Sequence, residues 1–348
     1  MRYSLLSRFQ GTLLAAALGD ALGAYSRLRQ PLKPEGVSAS NQEASPLAPV
    51  NLAAWHPGIM PGGSASSTPS TPWGNAAISC ARVLVQAGRW NELEMAAIGV
   101  RLAADRMAMS AVLDRPHSPI AFIAAESALA MLPVTLFFHD NEPSQQQRLV
   151  QTANLWRCPP GTEAGALAFS YAIAQLLQDR LDRLALVPQT VAYLKQSTAN
   201  PTALLLDLMH TLEQAQTLLQ QGAGLHMAIE QLRARATHLD SRAIALAFYC
   251  FLSTPNDLTL SLLRAARSGV IAPVVCALTG ALSGAYNSLN GLPLAWSAGS
   301  PMPLLWGLSD QEMNQLVAHL FAVWSGVYDT ATATNRFAIA APGVIRPR

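Results

Sequence analysis

The chain has 348 residues, of which 51% are hydrophobic and only 13% charged, with a formal net charge of +2. That length suffices for one large or two ordinary domains, and so few charges oblige several helices to be buried on most of their surface. The pI of 8.4 reflects a shortage of acids, since no two Lys or Arg residues are adjacent, which leaves nucleic acid without an electrostatic footprint. Cys80, Cys158, Cys250 and Cys276 are scattered and form no C-x-x-C pair, as expected of reduced thiols in a cytoplasmic protein that does not bind metal through sulfur.

In chain order, the start from Met1 to Leu6 is interrupted by Arg8 and Gln10, too soon for a signal peptide. A first helix is expected over about Ser4 to Tyr25, with Gly11, Ala15, Gly19 and Gly23 four residues apart, forming a smooth stripe for a neighbouring backbone. From Gln30 to Gly74, eight prolines between Pro31 and Pro72 forbid a long helix. The segment reads as an irregular loop whose end near Trp73 is pinned to the core. Helix two is expected from about Asn75 to Ala87, with Gly88 as its stop. Helical windows follow at about 91 to 109, 118 to 132, 144 to 156, 163 to 181, 201 to 221, 226 to 238, 241 to 253, 257 to 268 and 274 to 289. A last helix starts at Ser309, where Ser309-x-x-Glu312 makes a capping box. Pro133 to Phe138 could be a strand, but reads better as a helix end. The expected fold is all-α: a single helical domain over 1–328, followed by a polar tail over 329–348.

Ser268 to Leu308 contains no charged residue and is the one stretch to weigh as a membrane span. Its Pro, Ser, Thr and Asn content and its glycines suit a helix buried on all sides of a bundle better, so no span is expected. His139-Asp140-Asn141-Glu142 groups possible ligands but reads as a solvated turn, with Ser144 capping the next helix. Gly62-Gly63-Ser64 lacks the Gly-Lys-Ser or Gly-Lys-Thr of a phosphate loop.

Arg8-Phe9-Gln10-Gly11 through Gly19-Asp20-Ala21-Leu22-Gly23-Ala24, together with Gly280-Ala281-x-x-Gly284-Ala285-Tyr286, Gly291-Leu292-Pro293 and Trp296, resembles the signatures of the ADP-ribosylglycohydrolase family, which includes the dinitrogenase reductase-activating glycohydrolases. The resemblance implies an orthogonal helical bundle covering nearly the whole chain. It also implies a pair of Mg²⁺ or Mn²⁺ ions held by Thr-Asp-Asp-Thr at the start of helix two and Asp-x-Asp-Thr at the start of the late Gly-rich helix. Counting back from Gly88 and Gly280, those motifs fall on Thr71-Pro72-Trp73-Gly74 and Ile271-Ala272-Pro273-Val274. Neither retains a carboxylate, which such hard cations require, and the family's substrate-binding glutamate falls on Arg27.

The joint loss has a physical logic, because carboxylates crowded without a metal repel one another and a lone buried Asp is costly to desolvate. Trp73 is large enough to fill much of the space the ions and their waters would occupy. Asp20 is the surviving acid and reads as a structural group bonded to a neighbouring loop. Asp329-Thr330 follows the last helix rather than opening the Gly-rich one, and so belongs to the tail. The expectation is a catalytically degenerate relative with no catalytic residues and no cofactor, and with a residual pocket among Asp20, Arg27, Trp73 and Gly269. It would serve a regulatory, binding or scaffold role toward a protein partner or a nucleotide-like ligand. The alternative is a hydrolase releasing ADP-ribose from a modified substrate through a displaced or metal-independent site.

Overall fold

Two helices without side chains at their contact define the centre of the molecule. In the computed structural model, which describes residues 3–29, 71–112, 124–197, 201–293 and 304–327, α1 (Leu5–Arg29) lies antiparallel along α13 (Ala272–Asn287). A Cβ on Gly280 would stand 2.1 Å from the Ala15 carbonyl oxygen, one on Gly284 2.1 Å from that of Gly11, and one on Gly19 2.2 Å from that of Cys276. These distances lie inside van der Waals contact, so only glycine lets the two backbones meet. The four-residue spacing read in α1 is matched by Cys276, Gly280 and Gly284 on the opposing face of α13, because residues one turn apart share a face.

Around this pair the remaining helices close a single core. They are α2 (Pro72–Ala87), α3 (Glu92–Val112), α4 (Ala124–Ala130), α5 (Leu132–Phe137), α6 (Glu142–Leu155), α7 (Glu163–Leu177), α8 (Leu186–Ser197), α9 (Ala203–Gln220), α10 (Leu225–Arg235), α11 (Leu239–Ser253), α12 (Leu258–Ala265) and α14 (Asp310–Trp324). The described residues contain no strand, only an isolated bridge between Leu305 and Leu308. α13 packs against α1, α4, α7, α11 and α12, and 14 of its 16 residues are buried. Residues Ala272–Asn287 of the uncharged stretch thus form a central helix, as its glycines indicated, and no described helix is long and apolar enough to cross a membrane.

Punctuation explains most boundaries. α14 carries the expected capping box, with the Ser309 hydroxyl accepting from the Glu312 amide and Glu312 returning to Ser309. α2 ends at Gly88 with φ of 65°, the left-handed stop glycine supplies without strain. Four expectations are corrected, three of them involving proline. α2 begins at Pro72 rather than near Asn75, and α13 at Ala272 with Pro273 in its first turn. There a missing N–H costs nothing and the fixed φ suits the helix, so the irregular segment expected through Gly74 gives way to helix at Pro72. The 133–138 stretch, by contrast, is helical rather than a strand, as expected, and forms α5, again with proline in its first turn. α8 lies outside every expected window; Pro188 falls in its first turn, and the Asp182 carboxylate accepts from the Leu184 and Ala185 amides just ahead of it.

The fourth correction concerns His139-Asp140-Asn141-Glu142. His139 is buried, its Nδ1 2.8 Å from the Leu136 carbonyl and its ring edge-on to Phe9 at 5.2 Å. Burial lowers the His139 pKa from its ordinary value, as expected for a ring kept neutral in an aromatic cluster. Asn141, not Ser144, caps α6 by accepting from the Ser144 amide. Gly62-Gly63-Ser64, Trp296, Asp329-Thr330 and the 329–348 tail lie outside the described residues.

The seam makes a sharp stability prediction. Gly280→Ala forces a methyl into the Ala15 backbone and is expected to cost roughly 2–3 kcal/mol. Gly224→Ala, where no atom lies within 4 Å of the new Cβ, should cost under about 1 kcal/mol. Urea unfolding of the two variants reads the difference; equal midpoints would show that the helices can separate without penalty.

Candidate functional site

Asp20 follows Gly19 on α1, about 100° around the helix from the seam, and points toward the start of α2. It is 4% exposed. Its Oδ2 accepts from the Thr71 hydroxyl at 2.7 Å and from the Trp306 indole N–H at 2.8 Å. The Trp73 indole N–H lies close enough to favour the charged carboxylate. It does not complete a hydrogen bond, since both Trp73 Nε1 and Asp20 Oδ1 are buried without a partner. Burial is the dominant influence and raises the Asp20 pKa to about 6 against the pull of these three donors.

Each partner is placed by a local device. Thr71 takes the extended N-cap conformation of α2 (φ −70°, ψ 149°), but its hydroxyl leaves the helix amides uncapped and turns to Asp20. Trp306 occupies a tight turn closed by the Leu305 and Leu308 backbones at 2.7 and 3.0 Å. Its φ is 50°, followed by Gly307 at 81°, so both central residues are left-handed as in a type I′ turn. A bulky side chain rarely adopts that conformation. Here the indole bond to Asp20 and packing against Gly74 hold it: a Cβ on Gly74 would meet the Trp306 ring at 2.2 Å.

The two former motif positions therefore converge on α1 from different helices. Thr71, Pro72 and Trp73 come to Asp20, while Ala272 and Pro273 press on Gly23 less than a turn further along. Pro72, Trp73, Ile271 and Pro273 are all buried. Arg27 is exposed near the end of α1, and Gly269 opens the short 3-10 turn before α13 with φ of 76°. Of the expected pocket residues, Asp20 and Trp73 share one cluster; no described contact joins Arg27 or Gly269 to it. A cleft of about 360 Å³ borders the cluster through Pro72 and Trp306 and runs between α2 and α3, past Asn75, Arg82 and Arg101.

Sequence reasoning missed Trp306, the side chain that closes over Asp20. A Trp-Gly pair after consecutive leucines is a turn signal, but nothing in the order of residues aims the indole at residue 20. The chemistry of this cluster is that of an anion held by hydrogen-bond donors. A divalent cation needs several oxygen acceptors, whereas Asp20 is surrounded by one hydroxyl donor and two indole N–H groups. Among the described residues, no group of three or more His, Cys, Asp or Glu side chains is placed to share an ion.

The raised Asp20 pKa carries a stability prediction. A carboxyl whose pKa rises from about 3.9 unfolded to about 6 folded is most stabilising to the fold below pH ~4, and that stability is lost as pH rises through 6. Two pH units correspond to roughly 3 kcal/mol. Relative to Asp20→Asn, the wild type should lose about that much unfolding free energy between pH 4 and pH 7.5. A pH-independent difference between the two proteins would contradict the burial of this carboxyl.

Comparison with known proteins agrees with this fold. A search of curated proteins finds no match. Among solved structures, a chain described as part of an ADP-ribosylglycohydrolase-related protein complex superposes with a TM-score of 0.57 at 19% identity, covering 92% of this chain and 99% of that one. The family model for ADP-ribosylglycohydrolase matches residues 1–330. With the model spanning nearly the full length, this chain belongs to the ADP-ribosylglycohydrolase family.

Proposed function

We propose that the chain is a binding or regulatory protein built on the ADP-ribosylglycohydrolase fold, and that it does not carry out dinuclear metal hydrolysis. The observation that carries this reading is the environment of Asp20. Among the described residues, the acid at the meeting of the two motif positions, Asp20, has its Oδ2 taken by the Thr71 hydroxyl and the Trp306 indole, with the Trp73 indole N–H beside it. The residues at the two helix starts do not fit Mg²⁺ or Mn²⁺. Pro72, Trp73, Ile271 and Pro273 bring no side-chain oxygen, and the Thr71 hydroxyl is committed to donating to Asp20. Proline also keeps each helix start in place without a metal to organise it.

A protein partner is one class of target for such a role. A nucleotide-like ligand is the other class, and the family name, ADP-ribosylglycohydrolase, supplies its chemistry. Calorimetric titration with MgCl₂ and MnCl₂, paired with an assay for ADP-ribose release from an ADP-ribosylated protein, tests the proposal. Neither saturable binding below about 1 mM nor release above the buffer rate is expected. Micromolar metal binding accompanied by release would establish a hydrolase with displaced ligands instead.

A further inference from the structure

The two most exposed large hydrophobic side chains of the described residues lie on the same helix, seven positions apart. Leu93 is 83% and Val100 73% exposed, and Ala97 and Ala104 between and beyond them are exposed as well. The spacing of 93, 97, 100 and 104 is the alternating four-and-three step of a coiled-coil seam. α3 already buries its opposite face: Met95, Ile98 and Leu102 are in the core, and Gly99 lies against Trp156. The outer stripe is therefore additional to what the fold needs. Leaving two such side chains in water has a cost that covering them removes.

We propose that this stripe is the interface of a homodimer in which α3 packs antiparallel on α3 of a second copy. The pattern is self-complementary about a two-fold axis between Ala97 and Val100. Leu93 then faces Ala104 of the second copy, and Val100 faces Ala97, so a large side chain meets a small one at every layer. Alanine at alternate positions lets the helices approach closely. Charge supports the same direction. Glu94 flanks the stripe near the helix start and Arg101 on the same flank two turns later, with no ion pair to either among the described residues. An antiparallel pairing places each Glu94 beside the Arg101 of the other copy, twice by symmetry. A parallel pairing would put the two Glu94 side chains on opposite sides of the seam and set Arg101 beside Ala96 of the second copy, with no such ion pair. Asp105, one turn past Arg101, shares that flank and with Arg101 lines the cleft between α2 and α3; the antiparallel register leaves it beyond Glu94 of the second copy. The helix dipoles are also opposed in the antiparallel arrangement. This inference stands apart from the reading of the Asp20 site and holds whether or not that site turns over substrate.

Sedimentation equilibrium of the full chain from about 1 to 200 µM tests it, with a reversible dimer of micromolar dissociation constant expected. Val100→Glu and Leu93→Lys, both at exposed positions, should raise that constant at least about tenfold while leaving the circular dichroism unchanged, and the thermal midpoint unchanged at concentrations where the wild type is monomeric. Glu94→Arg and Arg101→Glu alone should each weaken the dimer by about three- to tenfold, and the double exchange should restore it. A monomer at 200 µM, or a dimer indifferent to Val100→Glu, overturns the proposal and leaves this face to a different protein. Failure of the double exchange to recover association overturns the antiparallel register.

Discussion

The backbone-to-backbone contact of α1 with α13 is the constraint on which the rest of the molecule depends. Gly11, Gly19 and Gly23 on one helix, and Gly280 and Gly284 on the other, let the two backbones touch at their closest points. This contact fixes the rotation and the register of both helices. Fixed rotation puts Asp20 toward α2, and fixed register puts the start of α13 beside Gly23. A helix pair packed through side chains could slide or roll by an ångström or more; one packed through peptide groups cannot. The site is precise because the seam beneath it is.

On that framework the positions where the family resemblance would put cation ligands border a hydrogen-bonded interior around Asp20. A buried carboxylate requires compensation for lost hydration. In a metal enzyme the ion supplies it; here a hydroxyl and an indole N–H do, with a second indole N–H close by. The substitutions form a consistent set. Proline opens α2 and α13 where aspartates would have projected, and Trp73 and Trp306 are both buried. The left-handed Trp306 is the part of this arrangement that works against local preference. Its two anchors, Asp20 and the bare face of Gly74, are what the strain is exchanged for.

How much of this was legible in the sequence follows from the range of each interaction. The glycine stripe, the Gly88 stop and the Ser309–Glu312 box are local patterns whose geometry follows from the spacing, and all three were read correctly. Pro72 reads as a breaker and the late helix is expected only after Pro273, because the same ring that ends a helix also begins one and only the following residues decide. α8 was overlooked, with a proline in its own first turn. His139 looked solvated within a polar run, since its aromatic neighbours Phe9 and Trp324 are more than a hundred residues away in the chain. Trp306 was invisible for the same reason: 286 residues separate it from Asp20. The scaffold was thus written in local spacing, and the lining of the site in contacts between distant segments.

The central claim is that indole donors occupy the ground around Asp20 that a cation would need. Anomalous diffraction from crystals grown in millimolar MnCl₂ tests it most directly. The account predicts no manganese peak within bonding distance of Asp20, with the Trp306 indole still donating to Oδ2. A manganese peak coordinated by Asp20, with Trp306 turned out of its present place, would contradict it.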